Sequence, residues 1–144
     1  MVILRNNSSK LLEDQVAKMI TVRNGKILLL KEYGKDVYGL PGGKVEKNET
    51  VEDGLVRETR EELTCTPTNY QLFNEVSIPG WNQGESYHFV YFIGELEGNI
   101  KPSSEIESLI WLSRKDIEEK SVRFHPHVLK TQILENLIAR EIIK

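Results

Sequence analysis

Residues 42 to 65 read GGKVEKNETVEDGLVRETREELTC, Gly42 through Cys65, and join a pair of glycines to a carboxylate-rich segment. Pro41 with Gly42 and Gly43 reads as a turn. Thr50 offers an N-cap hydroxyl, Asp53 follows three residues later in a spacing close to a capping box, and a helix is predicted from about Thr50 to Leu63. At helical spacing Leu55, Val56, Thr59 and Leu63 share an arc that can pack on a core, while Glu58, Glu61 and Glu62 share the neighbouring arc with Gly54. Glu58 and Glu62 are one turn apart, about 6 Å along the axis, so the three carboxylates can converge on one small volume. A helix built only for solubility would intersperse lysines among them. The cluster points instead to hard divalent cations that take oxygen ligands and leave room for phosphate.

The spacing resembles the Nudix box, GX5EX7REUXEEXGU, in which U is a bulky aliphatic residue. Gly43, Glu49, Arg57, Glu58, Glu61 and Glu62 fill its leading glycine and its charged positions. Thr59 stands where the box has an aliphatic residue, Thr64 where it has its closing glycine and Cys65 where it has its last aliphatic residue. These departures bear on packing and on how the helix ends, because a non-glycine residue tolerates a left-handed cap poorly.

The resemblance implies an α+β fold, a Nudix-type α/β/α sandwich with a mixed β-sheet, in one domain over residues 1 to 144. It implies a hydrolase in which water attacks a phosphorus of a nucleoside diphosphate linked to another moiety, with Mg2+ or Mn2+ holding the pyrophosphate. Carried over position by position, it makes Glu58 and Glu62 the principal metal ligands, Glu61 a further ligand and the Gly42 carbonyl a backbone ligand. The proton acceptor is Glu58 or a glutamate of a later loop. Arg57 supports the site by holding Glu49 in the fork of its guanidinium. Lys44, beside the glycines, is a candidate phosphate contact or a solvated surface lysine, and Glu46 is an outer ligand or exposed. A charge-rich helix taken alone is ordinarily a solvated face; the glycine pair, the spacing and Arg57 favour a site here.

At 144 residues the chain suits one domain with a real core. With 39% hydrophobic and 28% charged residues it has the composition of an ordinary globular protein, not a disordered one. A net charge of −3 argues against a general binder of nucleic acid or anionic membrane. Cys65 is the single cysteine, so no disulfide forms within the chain, and it reads as a small buried hydrophobe at the helix end. The apolar runs Val2 to Leu4 and Ile27 to Leu30 are too short for a signal peptide or a membrane span, which makes a cytoplasmic location the default. The expected partner is a small-molecule nucleotide, with no nucleic acid and no membrane; a homodimer is left open.

Residues 5 to 10 read as a polar approach or a turn between edge strands. Val16 to Arg23 and Lys26 to Glu32 read as strands joined by Asn24-Gly25 into a β-hairpin. Tyr33 to Asp36 connects to an extended arm, Val37 to Pro41, that delivers the glycines beside the helix. Tyr70 to Ile78 and Ser86 to Leu96 form a second hairpin with a long tip. Residues 101 to 108 read as a polar loop, Leu109 to Leu112 as a short strand, and Arg114 to Glu119 as a brief helix capped by Ser113. His125-Pro126 opens a closing helix on which Val128, Ile133, Leu134, Leu137, Ile138 and Ile142 recur at helical spacing.

Outside the box, Glu105 and Glu107 sit in the polar loop as a late base or ligand, with surface solvation the plainer alternative. Trp81, in a glycine-flanked loop, is a candidate for stacking on a nucleobase or a packing residue. Tyr87, His88 and Tyr91 lie on the long strand and read as packing residues. His125 and His127 lack a third ligand for zinc. Among substrates, the compact chain favours a nucleoside triphosphate over ADP-ribose, another ADP-sugar or a dinucleoside polyphosphate. The rival of a different kind is a nucleotide-sensing domain without catalysis, which loss of box glutamates would favour; none is lost.

Overall fold

A computed structural model describes residues 13 to 80 and 82 to 144. The polar approach expected at residues 5 to 10 and the loop residue Trp81 lie outside the described residues. Strand β1 is Glu13–Ile20, β2 Val22–Arg23, β3 Lys26–Glu32 and β4 Gly42–Lys44; helix α1 is Val51–Leu63. Strands β5 Thr66–Pro79, β6 Ser86–Glu97 and β7 Ile106–Leu112 follow, then α2 Arg114–Glu119, a π-helical turn Lys130–Leu134 and α3 Glu135–Ala139. Four strands make a mixed sheet in the order β4-β1-β6-β5, with β1 and β6 parallel and the outer pairs antiparallel. Strands β2, β3 and β7 make a smaller antiparallel sheet.

Alternation along the strands decides what covers each face. Val16 and Ile20 of β1 and Phe89 and Tyr91 of β6 join one core with Ile117 of α2 and Leu129, Ile133, Leu134 and Leu137 of the closing segment. Their strand neighbours Ala17, Met19, Val90 and Phe92 join a second core with Leu55 and Leu63 of α1. Helices therefore cover both faces of a mixed sheet, which is the α/β/α sandwich of an α+β fold.

The first hairpin is shorter than the alternation predicts. Asn24 and Gly25 turn with φ of 52° and 77°, as a two-residue hairpin turn requires, but they join only β2 to the start of β3. The apolar run from Val16 is buried on both faces and divides at Thr21: β1 pairs with β4 and β6, and the chain then crosses to the other sheet. The Gly42-Gly43 turn is likewise a strand. β4 lies antiparallel on β1, with Gly42 opposite Lys18 at φ 126°, and a side chain at 42 would overlap the Ala17 carbonyl.

β7 begins at Ile106, three residues before the predicted strand, because Ile106 is buried and pairs with Glu32 of β3, a start that the flanking charges Glu105 and Glu107 obscure. Glu107 is thereby a strand residue. The closing helix starts later than His125-Pro126, since Phe124 bridges to Tyr38 and the His125 N–H donates to the Tyr38 carbonyl at 2.9 Å, which ties this stretch to the extended arm. Helical structure begins in earnest at the π-helical turn.

Candidate functional site

Thr50 caps α1 as its sequence suggests, its hydroxyl accepting the Asp53 N–H at 3.0 Å. Thr64 takes the left-handed position at φ 63° despite lacking a glycine's freedom. What makes this tolerable is the loop that follows β6: Lys101 N–H and Ser103 N–H donate to the carbonyls of Leu63 and Glu62, and the Thr64 hydroxyl donates to the Lys101 carbonyl at 3.1 Å. Helix α1 buries Gly54, Leu55, Thr59 and Leu63 and turns Glu58 and Glu62 toward β4.

Two of those glutamates flank the glycine pair. Glu62 Oε1 accepts the Gly42 N–H at 2.8 Å. The Glu58 carboxylate lies so close to Gly43 that a Cβ there would come 2.6 Å from its Oε2. Only glycine at 43 leaves room for that carboxylate in its present place. Burial pushes Glu62 up to about 7, partly offset by the positive charge of Lys18 and the bond from Gly42, and reinforced by the negative charges of Glu58 and Glu32.

Arg57 organises the outer side. Its Nε and Nη2 donate to the two oxygens of Glu49 at 2.8 and 3.0 Å, the bidentate fork expected from the sequence. Nη1 donates to Glu58 at 3.0 Å and Glu61 at 3.2 Å, and Nη2 also donates to the Lys44 carbonyl at 3.0 Å. The Arg57 hydrogen bond, with a second from the Glu46 N–H, holds Glu49 well down, at about 2. Glu49 in turn moves the guanidinium further above its ordinary value. The Glu46 carboxylate stands 3.7 Å from Arg57 Nε.

The structure gathers Gly42, Gly43, Glu49, Arg57, Glu58, Glu61 and Glu62 into one region. The Lys44 side chain instead pairs with Asp14 at 3.2 Å, its ammonium 5.9 Å from the centre of the Tyr87 ring. Glu107 pairs with Lys31 at 3.4 Å on β7. Glu105 is exposed, linked by its backbone to Tyr33 and Ser103. Trp81 lies outside the described residues. Cys65 is buried, its thiol pushed up by that burial.

Among the described residues no three carboxylate, histidine or cysteine side chains stand close enough to hold an ion as they lie. The donor set nevertheless fits a hard divalent cation. The half-buried Glu62 carboxylate has one backbone donor and no ion pair among the described residues, and Glu58 stands on the other side of the same two glycines. Rotation of Glu58 and Glu61 away from Arg57 would bring oxygen ligands together.

Sequence reading missed Lys18. The signal was a lone lysine in the apolar run Val16 to Ile20. Its Nζ donates to the carbonyls of Leu40 and Gly42 at 3.1 and 3.2 Å, placing a positive charge at the glycines. Burial lowers its affinity for the proton, while Glu62, Glu32 and Glu58 raise it.

A family model described as the NUDIX domain matches residues 13 to 132. An ADP-ribose pyrophosphatase of Methanocaldococcus jannaschii is 33% identical over 60% of this chain and 53% of its own length. The 8-oxo-dGDP phosphatase NUDT18 of Danio rerio is 32% identical over 62% of this chain and 29% of its own. The chain thus spans about half or less of the length of these curated relatives. The crystal structure of a MutT NUDIX hydrolase from Burkholderia pseudomallei is similar with a TM-score of 0.63 and 28% identity, covering 69% of this chain and 82% of that one. Among the described residues no helix is long and apolar enough to cross a membrane.

Proposed function

The chain belongs to the Nudix family, and on that premise we propose that it hydrolyses a pyrophosphate bond in a nucleoside diphosphate linked to another moiety. The observation that carries this reading is the pair of carboxylates on either side of Gly42 and Gly43: Glu62 on the Gly42 N–H and Glu58 against Gly43. Acceptor-only groups facing a backbone stripped of side chains leave space for a cation and a phosphate together. Bound Mg2+ or Mn2+ would neutralise the pyrophosphate and polarise it toward attack by water.

Glu62, Glu61, Glu58 and the Gly42 carbonyl are the groups assigned to hold that cation. Glu58 is also the residue to which we assign the proton of the attacking water, since its carboxylate stands against Gly43 among the groups that would hold the cation. Arg57 holds Glu58 and Glu61 in reserve and anchors Glu49, so its part is positional. Lys44, paired with Asp14, and Trp81 are carried as the sequence candidates for a phosphate contact and for stacking on the nucleobase, with surface and packing roles their alternatives.

A nucleoside triphosphate is the substrate we place first. An ADP-sugar is the second reading, favoured by the likeness to an ADP-ribose pyrophosphatase. A panel of nucleoside triphosphates, nucleoside diphosphates, ADP-ribose and dinucleoside polyphosphates, assayed for released monophosphate with Mg2+ and with chelator, tests both. Metal-dependent turnover of a triphosphate above the others is expected. Turnover of none, with nucleotide binding retained, would leave a sensing domain.

A further inference from the structure

We propose that Lys18 binds a phosphate oxygen of the substrate, an inference that rests on the reading of this site as one for pyrophosphate. Its neighbours Val16, Ala17, Met19 and Ile20 are all buried, and a strand built for packing alone would carry leucine or methionine between them. Lys18 instead clamps the two carbonyls on either side of Pro41, those of Leu40 and Gly42, at the entry to the glycine pair. The N–H of the same Gly42 is held by Glu62, which fixes the ammonium beside the carboxylates of the candidate site.

An ammonium has three N–H donors and no acceptor. Two are spent on neutral carbonyls, and among the described residues no carboxylate lies within ion-pair distance of Lys18. A partly buried positive charge with neutral partners is costly to keep. Tyr91 stands opposite Lys18 in the β1–β6 register, is 1% exposed, and its hydroxyl has no hydrogen-bond partner among the described residues. A phosphate, rich in acceptor oxygens and negatively charged, satisfies a spare ammonium N–H and adds a direct ion pair to the longer-range attraction of Glu62, Glu32 and Glu58. Lys44, the lysine that sequence places nearest the glycines, already has Asp14.

The test is calorimetric titration of methylenediphosphonate, whose P–C–P bridge resists hydrolysis, into the full chain with Mn2+ present, beside a titration of Mn2+ alone. Lys18→Met should weaken diphosphonate binding about ten- to hundredfold. Its Mn2+ affinity should hold or tighten, because a positive charge has left the neighbourhood of Glu62. Lys18→Arg should restore most of the diphosphonate affinity. Diphosphonate binding by Lys18→Met within about twofold of wild type would overturn the inference. So would equal losses of Mn2+ and diphosphonate affinity, which would make Lys18 a prop for the Gly42 carbonyl. Wild-type chain that takes Mn2+ but no diphosphonate overturns it too, with the metal reading intact, whereas no Mn2+ binding at all sinks both. If Lys18→Met does not fold, Lys18→Arg against Lys18→Gln carries the same comparison.

Discussion

Glu62 is a residue whose charge the fold resists. Its carboxyl moves from 4.5 to about 7, chiefly because burial disfavours the anion. The native state therefore holds a proton that the unfolded chain has released between about pH 4.5 and 7, and stability falls as pH rises through that window. Glu62→Gln keeps the acceptor for the Gly42 N–H and removes the anion. In chelator at pH 8 this variant should be more stable than wild type by roughly 1 to 3 kcal/mol, the difference closing near pH 4. Denaturant titrations from pH 4 to pH 8 measure it, and a wild type as stable as the variant at pH 8 would remove the buried-anion account. Glu49 works in the opposite sense: held at about 2, its contribution is present above about pH 4.5 and is lost as pH falls toward 2. Arg57, its partner, reaches four groups with a planar fork that lysine cannot copy. Arg57→Lys should cut activity roughly ten- to hundredfold with a small change in melting temperature; equal activity would mean that the fork to Glu49 is dispensable.

At the scale of elements, helix α1 was legible because cap, periodicity and charge agreed, and the observed Val51–Leu63 differs from the predicted helix by little more than its cap residue. Of the three departures from the box, Thr64 and Thr59 turned out differently. Thr64 adopts the left-handed cap because the 101 to 103 loop satisfies the last carbonyls, a non-local support that no local pattern announces. Thr59 is fully buried and its hydroxyl has no partner among the described residues, so the position carries a cost. Thr59→Val keeps the shape and removes the unpaired group, and should add about 1 kcal/mol, seen as a rise of a few degrees in melting temperature. A fall would mean that the hydroxyl has an acceptor. The first hairpin was misjudged for a related reason: a strand buried on both faces loses the alternation that shows where it changes sheets, and Thr21 sits at that change. Lys18 escaped because its use depends on the Leu40 and Gly42 carbonyls, which the fold brings from more than twenty residues away.

On the scale of the whole molecule, the sandwich places α1 over one face of the mixed sheet while β4 runs along the sheet's edge, so the carboxylates meet the glycines across a boundary between elements. A cation held there would tie helix to sheet, and a ligand that binds the native state alone must stabilise it. At a free metal concentration about 100 times the dissociation constant, the gain is about 2.7 kcal/mol. For a chain of this size that amounts to a rise of roughly 5 to 10 °C in melting temperature. Mg2+ or Mn2+ should give this rise in wild type above pH 7, where Glu62 is ionised, and less of it below pH 6, where a proton competes for the same oxygen. A chain carrying both Glu58→Gln and Glu62→Gln should show none at either pH. Scanning calorimetry of the two proteins with metal and with chelator separates the outcomes. An equal rise in both would place the cation elsewhere on the molecule, because the variant keeps the size and hydrogen-bonding reach of both side chains and lacks only their charge.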